Sequence, residues 1–462
     1  PMNSITGTVR KTETAFPLKS QWGPGNGPAA MERKAFTPDF PIFIFTAMSR
    51  CGFWSWRPGG GTGTADDHIE HKAVADMEKI LEILSEIRPA DQKAMEAARL
   101  RWNSVAKPIG SLGILEEDII KIAGILGSAE RIPLEKSALA VMCADHGVVE
   151  EGVTQTGQEV TRIVAENFTK GQTSVTCMCR VSGTDVFPVD VGMTGEGRLW
   201  DGSGKEAPAP FVLLNRRAGA GSRNLVREAA MIGDQCERAL LAGVFLARDL
   251  KQMGYGILAS GEMGIGNTTP ASALASVLTG APPRLVTGRG AGLSDQGLLR
   301  KQKAVEAACE RFFRQYPRYK DFSWEASAEP RDALLLLTEL GGFDIAAMAG
   351  LFLGAAVYRL PAVIDGFISS AAALLAVLMC RDVKDFLLAS HVSSEPAGRL
   401  VMDQLGLKAP LDCGMHLGEG SGAVALLPLL KMGAMVYENM STFSEIHVES
   451  YVDYGVKKGG RP

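Results

Sequence analysis

One carboxylate near the C-terminal end of the chain, Glu419, stands between Gly418 and Gly420 in the sequence LGEGSGA. Because glycine has no Cβ, the ring of a ligand can approach the backbone closely on both sides of this carboxylate. The apolar run that follows, Ala423–Leu430, is typical of a buried helix. A carboxylate in such a dry environment has a raised pKa, which suits a general base near neutral pH. A structural alternative stays open, since a Glu in a first helical turn is stabilised by the helix dipole.

A second carboxylate, Glu262, lies in the glycine-rich stretch ASGEMGIGNTTPASA, which leads from an apolar run into a helix. Thr269 suits the N-cap position and Pro270 the first helical position. Such a loop exposes backbone N–H groups to an anion at the positive end of a helix. The stretch is neither a Walker motif nor a dinucleotide-binding GxGxxG motif. We expect it to bind a phosphate, although a purely structural turn would have the same pattern.

Two further glycine-rich loops could bind an anion. KPIGSLGILE, residues 107–116, precedes a predicted helix, and a plain connecting turn explains it equally well. TGRGAG, residues 287–292, leads into a long predicted helix with Lys301 and Lys303. These lysines could reach a phosphate or could simply be solvated.

Two other patterns have simpler explanations. The pair Ser390–His391 invites a hydrolase interpretation, but the chain has no GxSxG motif, and adjacent residues of an extended chain point to opposite faces. In GGFD, Gly341 is placed to end one helix and Asp344 to cap the next, so that helix geometry accounts for the motif without a function.

Composition excludes several classes of protein. Of the 462 residues 46% are hydrophobic and 22% charged, as in a globular protein with a sizeable core. The net charge of −4 gives no basic surface for nucleic acid. Six scattered histidines, and eight cysteines without zinc spacing, predict no metal site.

The first part of the chain differs from the rest. Residues 1–63 contain seven Lys/Arg and three Asp/Glu, a net charge of +4, and the remainder has 41 against 49, a net charge of −8. The only apolar run there, Phe40–Met48, is too short to cross a membrane. We treat residues 1–71 as a leader that is disordered or directs targeting.

Six short apolar runs alternate with helical patterns, and several end in polar groups. The predicted strands are Ala138–Cys143, Val186–Val191, Phe211–Leu214, Gly256–Ser260, Ala362–Ile364 and Phe386–Ala389. Such alternation predicts an α/β fold whose parallel sheet has helices on both faces. In these folds ligands bind beyond the carboxyl ends of the strands. Residues 192–210, rich in Gly, Pro and charge, are predicted to form a long loop.

Seven motifs in order resemble one family, the nicotinate-nucleotide:dimethylbenzimidazole phosphoribosyltransferases. They are KPIGSLGILE, CADHGVVEEGVT, GEMGIGNTTPASA, GGFDIAAMAG, VIDGFISSAAAL, ASHVSSEPAG and LGEGSGAVALLP, and they cover roughly residues 75 to 440. The resemblance implies a Rossmann-like α/β fold with a small helical domain built from both chain ends. The expected divisions are 72–130 for the N-terminal helices, 131–410 for the large domain and 411–462 for the catalytic loop and C-terminal helices.

The resemblance also implies a reaction and a site. Nicotinate mononucleotide donates its 5-phosphoribosyl group to 5,6-dimethylbenzimidazole, giving α-ribazole 5′-phosphate and nicotinate for cobalamin assembly. The enzymes of this family are homodimers and need no metal or other cofactor. Glu419 matches the family's catalytic base and Glu262 the second carboxylate in the site. The implied phosphoribosyl-binding residues are Gly264, Gly266, Asn267, Thr268, Gly288, Gly290, Lys303 and Ser390.

The acceptor pocket is predicted from the residues around the base and from one earlier loop. Met415, Leu417 and Gly418, beside the base, suit an apolar slot for a flat acceptor. Thr156–Gly157 stands where family members often have Ser-Pro, so the choice of acceptor stays open. The alternatives are an enzyme with another azole, purine or phenol acceptor, and a non-catalytic nucleotide- or azole-binding protein of the same fold. We expect a cytoplasmic protein without a membrane span, or an organellar one if the leader directs import.

Overall fold

The structure is a computed structural model that describes residues 77–452, except for the side chain of Glu325. The predicted leader, residues 1–71, and the start of the first predicted helix lie outside the described residues.

The described residues contain a six-stranded parallel sheet. The strands are β1 (Ser137–Ala144), β2 (Thr184–Gly192), β3 (Leu214–Asn215), β4 (Ile257–Met263), β5 (Ala362–Ile364) and β6 (Leu387–Ala389), in the spatial order β3-β2-β1-β4-β5-β6. Each of the six predicted strands overlaps a strand of the sheet, although β3 shares only Leu214 with the predicted strand. β3 starts later than predicted because Phe211 has a φ of 59°, which an extended strand cannot contain. The predicted loop 192–210 lies between β2 and β3, except for Gly192, which is the last residue of β2.

Helices connect and cover the strands. They are α1 (Glu78–Glu86), α2 (Gln92–Ser104), α3 (Ile114–Leu126), α4 (Glu159–Thr169), α5 (Ser174–Ser182), α6 (Gly233–Gln252), α7 (Thr268–Thr279), α8 (Pro283–Val286), α9 (Asp295–Gln315), α10 (Trp324–Ser327), α11 (Pro330–Leu340), α12 (Phe343–Val357), α13 (Phe367–Met379), α14 (Gly398–Leu405) and α15 (Ser421–Asn439). Short 3₁₀ helices occupy Gly147–Glu151, Pro317–Asp321 and Arg381–Phe386.

Both faces of the sheet are covered by helices, as the alternating pattern predicted. Along β1, Ala138, Ala140 and Met142 pack into one core with α6, α12 and α13. Leu139 and Val141 pack into the other core with α3, α5 and α15. This alternation follows from the two-residue period of a strand. Helices from both ends of the chain therefore meet on one face, while the division into separate domains at residues 130 and 410 stays a prediction.

Two predicted helix starts differ from the structure. α7 begins at Thr268 with Asn267 before it, so Thr269 lies inside the helix instead of capping it. α12 begins at Phe343 after Gly342, and Asp344 lies in its first turn, fully buried. The prediction that Asp344 serves only as a helix cap is wrong, because its side chain contacts residues of other elements.

None of the helices in residues 77–452 is long and apolar enough to cross a membrane.

Candidate functional site

A cavity of about 240 Å³ opens at the carboxyl edge of the sheet. Its walls come from the loops that follow β4, β5 and β6, and from the loop that precedes α15. This is where parallel α/β sheets bind ligands, because the strands all end at one edge and the loops diverge there.

The cavity brings together ten of the fourteen predicted site residues. Glu419, Glu262, Gly264, Gly266, Asn267, Thr268, Gly290, Thr156, Leu417 and Gly418 line it. Gly288, Lys303, Ser390 and Met415 do not line it.

Glu419 stands on an unusual backbone. Gly418, Glu419 and Gly420 have φ angles of 85°, 61° and 89°, in the left-handed region that a residue with a Cβ adopts at a cost. A Cβ on Gly420 would lie 2.4 Å from the side chain of Leu139, which explains why glycine is required there. Strained backbone of this kind concentrates at functional sites because it fixes a side chain in one direction.

The carboxylate of Glu419 is half-buried and reaches a different helix from the one that it precedes. Its Oε2 accepts a hydrogen bond from the Val175 N–H in the first turn of α5, at 3.4 Å. Burial raises the pKa of Glu419, the Val175 N–H opposes this shift, and the charge of Asp365 adds to it. The carboxylate is therefore suited to accept a proton near neutral pH.

Asp365 holds the loop of Glu419 in place. Its Oδ1 accepts hydrogen bonds from the N–H groups of Gly422 at 2.7 Å and Ala423 at 3.1 Å, and its Oδ2 accepts from Gly420 at 3.1 Å. It thus caps α15 from another element of the fold. Burial raises the pKa of Asp365, against the influence of His391 and these backbone N–H groups.

Glu262 is the second carboxylate of the cavity. It is 7% exposed at the end of β4 and accepts a hydrogen bond from the side-chain amide of Asn267. Burial and the nearby charge of Asp344 raise the pKa of Glu262 to about 8, with smaller contributions from Asp365 and Glu419. Two carboxyl groups of one cavity thus have different environments.

The part of the cavity that Thr268 and Lys301 line has the features of a phosphate site. The N-terminus of α7, at Thr268, meets the Nζ atom of Lys301, which donates to Thr268 Oγ1 at 2.7 Å and to the Gly288 carbonyl at 3.1 Å. A Cβ on Gly290 would lie 3.0 Å from Thr268 Oγ1, so the loop that contains Gly290 packs closely against the N-terminus of α7. Burial lowers the pKa of Lys301 to about 8, and Glu395 opposes that shift.

Contrary to the prediction, Lys303 does not supply the positive charge of this candidate phosphate site. Residues two positions apart in an α-helix differ in direction by about 200° around the helix axis, so Lys301 and Lys303 on α9 face different ways. Lys301 is 1% exposed and lines the cavity, whereas Lys303 is exposed. Gly288 contributes through its carbonyl group rather than by lining the cavity.

Ser390 is fully buried and directed away from the cavity. Its Oγ lies 3.1 Å from His391 Nδ1 and 3.4 Å from the Asp365 carbonyl. β6 ends at Ala389, and of the two adjacent residues only His391 lines the cavity. The pair still does not form a hydrolase site, since a ligand in the cavity meets His391 and not the hydroxyl.

The acceptor side is partly as predicted. Thr156, Leu417 and Gly418 line the cavity, and Leu417 is 55% exposed. Met415 lies outside the lining, and its carbonyl accepts the Ser394 N–H at 3.1 Å. Met263, Phe367 and Ile368 supply apolar surface that the sequence did not single out.

The predicted site residues did not include Asp365 or His391, although both line the cavity and His391 was noted in the sequence. Asp365 follows directly after β5 and His391 is the second residue after β6, so the rule that polar groups at strand ends form the site could have added them. In residues 77–452 no group of three or more His, Cys, Asp and Glu side chains is placed to hold a metal ion.

Comparisons with known proteins show which family this chain resembles. A phosphoribosyltransferase family model matches residues 87–448. Two relatives are nicotinate-nucleotide–dimethylbenzimidazole phosphoribosyltransferases. The one from Acetivibrio thermocellus is 38% identical, and the alignment covers 80% of this chain and 99% of the relative. The one from Chloroflexus aggregans is 39% identical, and the alignment covers 80% of this chain and 98% of the relative. The crystal structure of CobT from Thermus thermophilus superposes with a TM-score of 0.68 at 39% identity, covering 77% of this chain and 99% of that one. The chain belongs to the nicotinate-nucleotide–dimethylbenzimidazole phosphoribosyltransferase family.

Proposed function

We propose that this protein transfers the 5-phosphoribosyl group of nicotinate mononucleotide to 5,6-dimethylbenzimidazole, giving α-ribazole 5′-phosphate and nicotinate. The observation that carries the proposal is one cavity lined both by a half-buried carboxylate, Glu419, and by a helix N-terminus with Lys301. Family membership fixes the reaction class. The product would serve assembly of the cobalamin lower ligand.

The donor nucleotide would bind through its phosphate at the N-terminus of α7. The backbone around Gly266 and Thr268 offers N–H groups at the positive end of the helix, and Lys301 supplies a buried cation. A flat acceptor would lie against Met263, Phe367 and Leu417 beside Glu419.

The chemistry needs one base. A ring nitrogen of the acceptor forms a bond to C1′ of the ribose, and the bond from C1′ to the pyridinium nitrogen breaks. The electron pair of that bond neutralises the pyridinium, so nicotinate leaves without acid assistance. The N–H proton of the acceptor passes to the Glu419 carboxylate. Fixing both reactants in line supplies much of the remaining rate enhancement, and the negative charge of Glu419 stabilises positive charge that develops on the ribose.

The test is product analysis with pure protein, nicotinate mononucleotide and dimethylbenzimidazole. We expect nicotinate and a ribazole phosphate in equal amounts, and no nicotinate when the acceptor is omitted. Parallel reactions with a purine and a phenol would show whether another acceptor is preferred. Tight binding of the nucleotide without turnover of any acceptor would contradict the proposal and favour a binding protein.

We also propose that the protein acts as a homodimer, as the family resemblance implies. Exposed apolar side chains on the helices from the two chain ends, among them Leu100, Met432 and Met435, support an association there. Light scattering would then give twice the chain mass of 49.2 kDa.

A further inference from the structure

Asp344 and His146 form a buried pair behind the cavity that the reaction above does not use. They are 0% and 1% exposed, and Asp344 Oδ1 lies 3.1 Å from His146 Nε2 without the alignment of a hydrogen bond. The same oxygen accepts the Ile345 N–H at 2.9 Å, and Oδ2 accepts from the Asn267 amide at 3.0 Å. Both carboxyl oxygens of Asp344 therefore accept a hydrogen bond.

Asn267 links this pair to Glu262. Its Nδ2 atom carries two hydrogens and contacts both Asp344 Oδ2 and Glu262 Oε2. The other oxygen, Glu262 Oε1, lies only 2.3 Å from where a Cβ on Gly418 would stand, so it is directed at the glycine beside the base. In the described part of the chain no N–H or O–H group donates a hydrogen bond to Oε1.

The charged groups around Glu262 are mostly acidic. Asp344 on α12, Asp365 after β5 and Glu419 before α15 each contribute negative charge. Other titratable groups that face this region include the imidazoles of His146, after β1, and His391, after β6, and the thiol of Cys143 on β1, which is close enough to interact with the charges of Glu262 and Asp344. The cation on α9, Lys301, is directed to Thr268 and Gly288, and within residues 77–452 Glu262 has no ion pair with a Lys or Arg.

We propose that Asp344, in contact with His146, positions Asn267 and keeps Glu262 in its neutral form, with the Oε1 proton offered to an oxygen of the bound ribosyl phosphate. The proposal rests on the proposed function for the identity of the ligand. Asp344, His146 and Asn267 are then positioning residues, and Glu262 is a hydrogen-bond donor rather than a second base. Burial and the Asp344 charge, which raise the pKa of Glu262 to about 8, support this assignment. Two carboxyl groups of one site whose pKa values are separated by environment can take different roles.

The test is infrared difference spectroscopy of the protein without substrate, which detects the C=O stretch of a protonated carboxyl group. At pH 7 we expect a protonated-carboxyl band in the wild type that is lost in Glu262→Gln. Asp344→Asn removes a neighbouring negative charge, so the band should disappear at a pH at least one unit lower. Asn267→Ala removes a hydrogen bond that favours the charged form, so the band should persist to higher pH. General damage to the fold would not move these midpoints in opposite directions.

Asp118 on α3 provides the control, because burial raises its pKa to about 7 and it does not line the cavity. Asp118→Asn should remove a separate band and leave the Glu262 midpoint unchanged. The proposal is overturned if Glu262→Gln and the wild type give the same spectrum at pH 7. If Asp344→Asn does not fold, the spectra of Glu262→Gln and the wild type, and the midpoint of Asn267→Ala, still test the proposal.

Turnover gives an independent reading. Glu262→Gln keeps a hydrogen-bond donor and should retain kcat within about tenfold, whereas Glu262→Ala should lose about 100-fold or more. Equal losses of kcat in Glu262→Gln and Glu262→Ala would contradict the proposal that Glu262 acts as a neutral hydrogen-bond donor. A wild type that makes no ribazole phosphate would refute the proposed function, while the infrared result on Glu262 would still stand.

Discussion

The single residue that we expect to govern binding of the donor phosphate is Lys301. Lys301→Ala should raise KM for nicotinate mononucleotide about 10- to 100-fold, because a charge-assisted hydrogen bond contributes about 1.5–3 kcal/mol. Lys303→Ala, two residues along the same helix, is the matched control and should leave KM unchanged. Steady-state kinetics checks both. An equal rise in the two variants would mean that the general charge of α9, and not the candidate phosphate site, attracts the nucleotide.

Nucleotide binding should also depend on pH through the same residue. Only the protonated ammonium attracts phosphate, and the pKa of Lys301 is lowered to about 8 in the free protein. Affinity should therefore weaken as pH rises through about 8, because the ammonium group of Lys301 loses its proton there. Calorimetry of Lys301→Ala should show no such dependence. A wild-type affinity that is constant from pH 7 to 9 would contradict the assignment.

Catalysis should lose its base at low pH. Glu419 must be ionised to accept a proton, and burial raises its pKa above the usual 4.5. The rate kcat should thus fall as pH decreases through that raised pKa, at a pH higher than for an exposed Glu. A rate profile that stays flat down to pH 4.5 would show that another group takes the proton.

At the scale of elements, the start of α15 fixes the direction of the base. Gly420→Ala would place a Cβ 2.4 Å from Leu139 in a left-handed backbone, so both stability and kcat should fall. Gly280, the left-handed residue that ends α7, has no atom within 4 Å of its added Cβ. Gly280→Ala should cost only about 1–2 kcal/mol of unfolding free energy and keep kcat. Denaturation and kinetics compare the two, and unchanged kcat in Gly420→Ala would show that the strained turn is dispensable.

Sequence reasoning recovered much of this element-scale picture, for physical reasons. The strands were found because buried parallel strands are continuous apolar runs, as in Ala362–Ile364. Lys301 and Asp344 were misjudged because local sequence does not reveal which face of a helix is buried or which distant side chains meet it. Likewise, the left-handed φ of Glu419 is set by contacts with β1 and β4, which no local pattern records.

At the scale of the whole molecule, helices near both ends of the described residues pack into one core with the sheet. Tyr437 on α15 packs edge-on against Trp102 of α2, with ring centroids 5.1 Å apart, and donates to the Ala129 carbonyl at 2.6 Å. Tyr437→Ala should lower the unfolding free energy by about 3–5 kcal/mol, as for other buried aromatic residues. Tyr437→Phe loses only a hydrogen bond and should cost about 1 kcal/mol. Chemical denaturation distinguishes them, and equal costs would mean that α15 packs only loosely on the N-terminal helices.

The central claim is that Glu419 removes the acceptor proton, and Glu419→Gln tests it most directly because the two side chains have nearly the same shape. With saturating nicotinate mononucleotide and dimethylbenzimidazole, the account predicts that kcat falls by about 10²–10⁴. Calorimetry should show that nucleotide affinity changes little, since the candidate phosphate site is formed by Thr268 and Lys301 and not by Glu419. A Glu419→Gln variant that turns over at the wild-type rate would contradict the account.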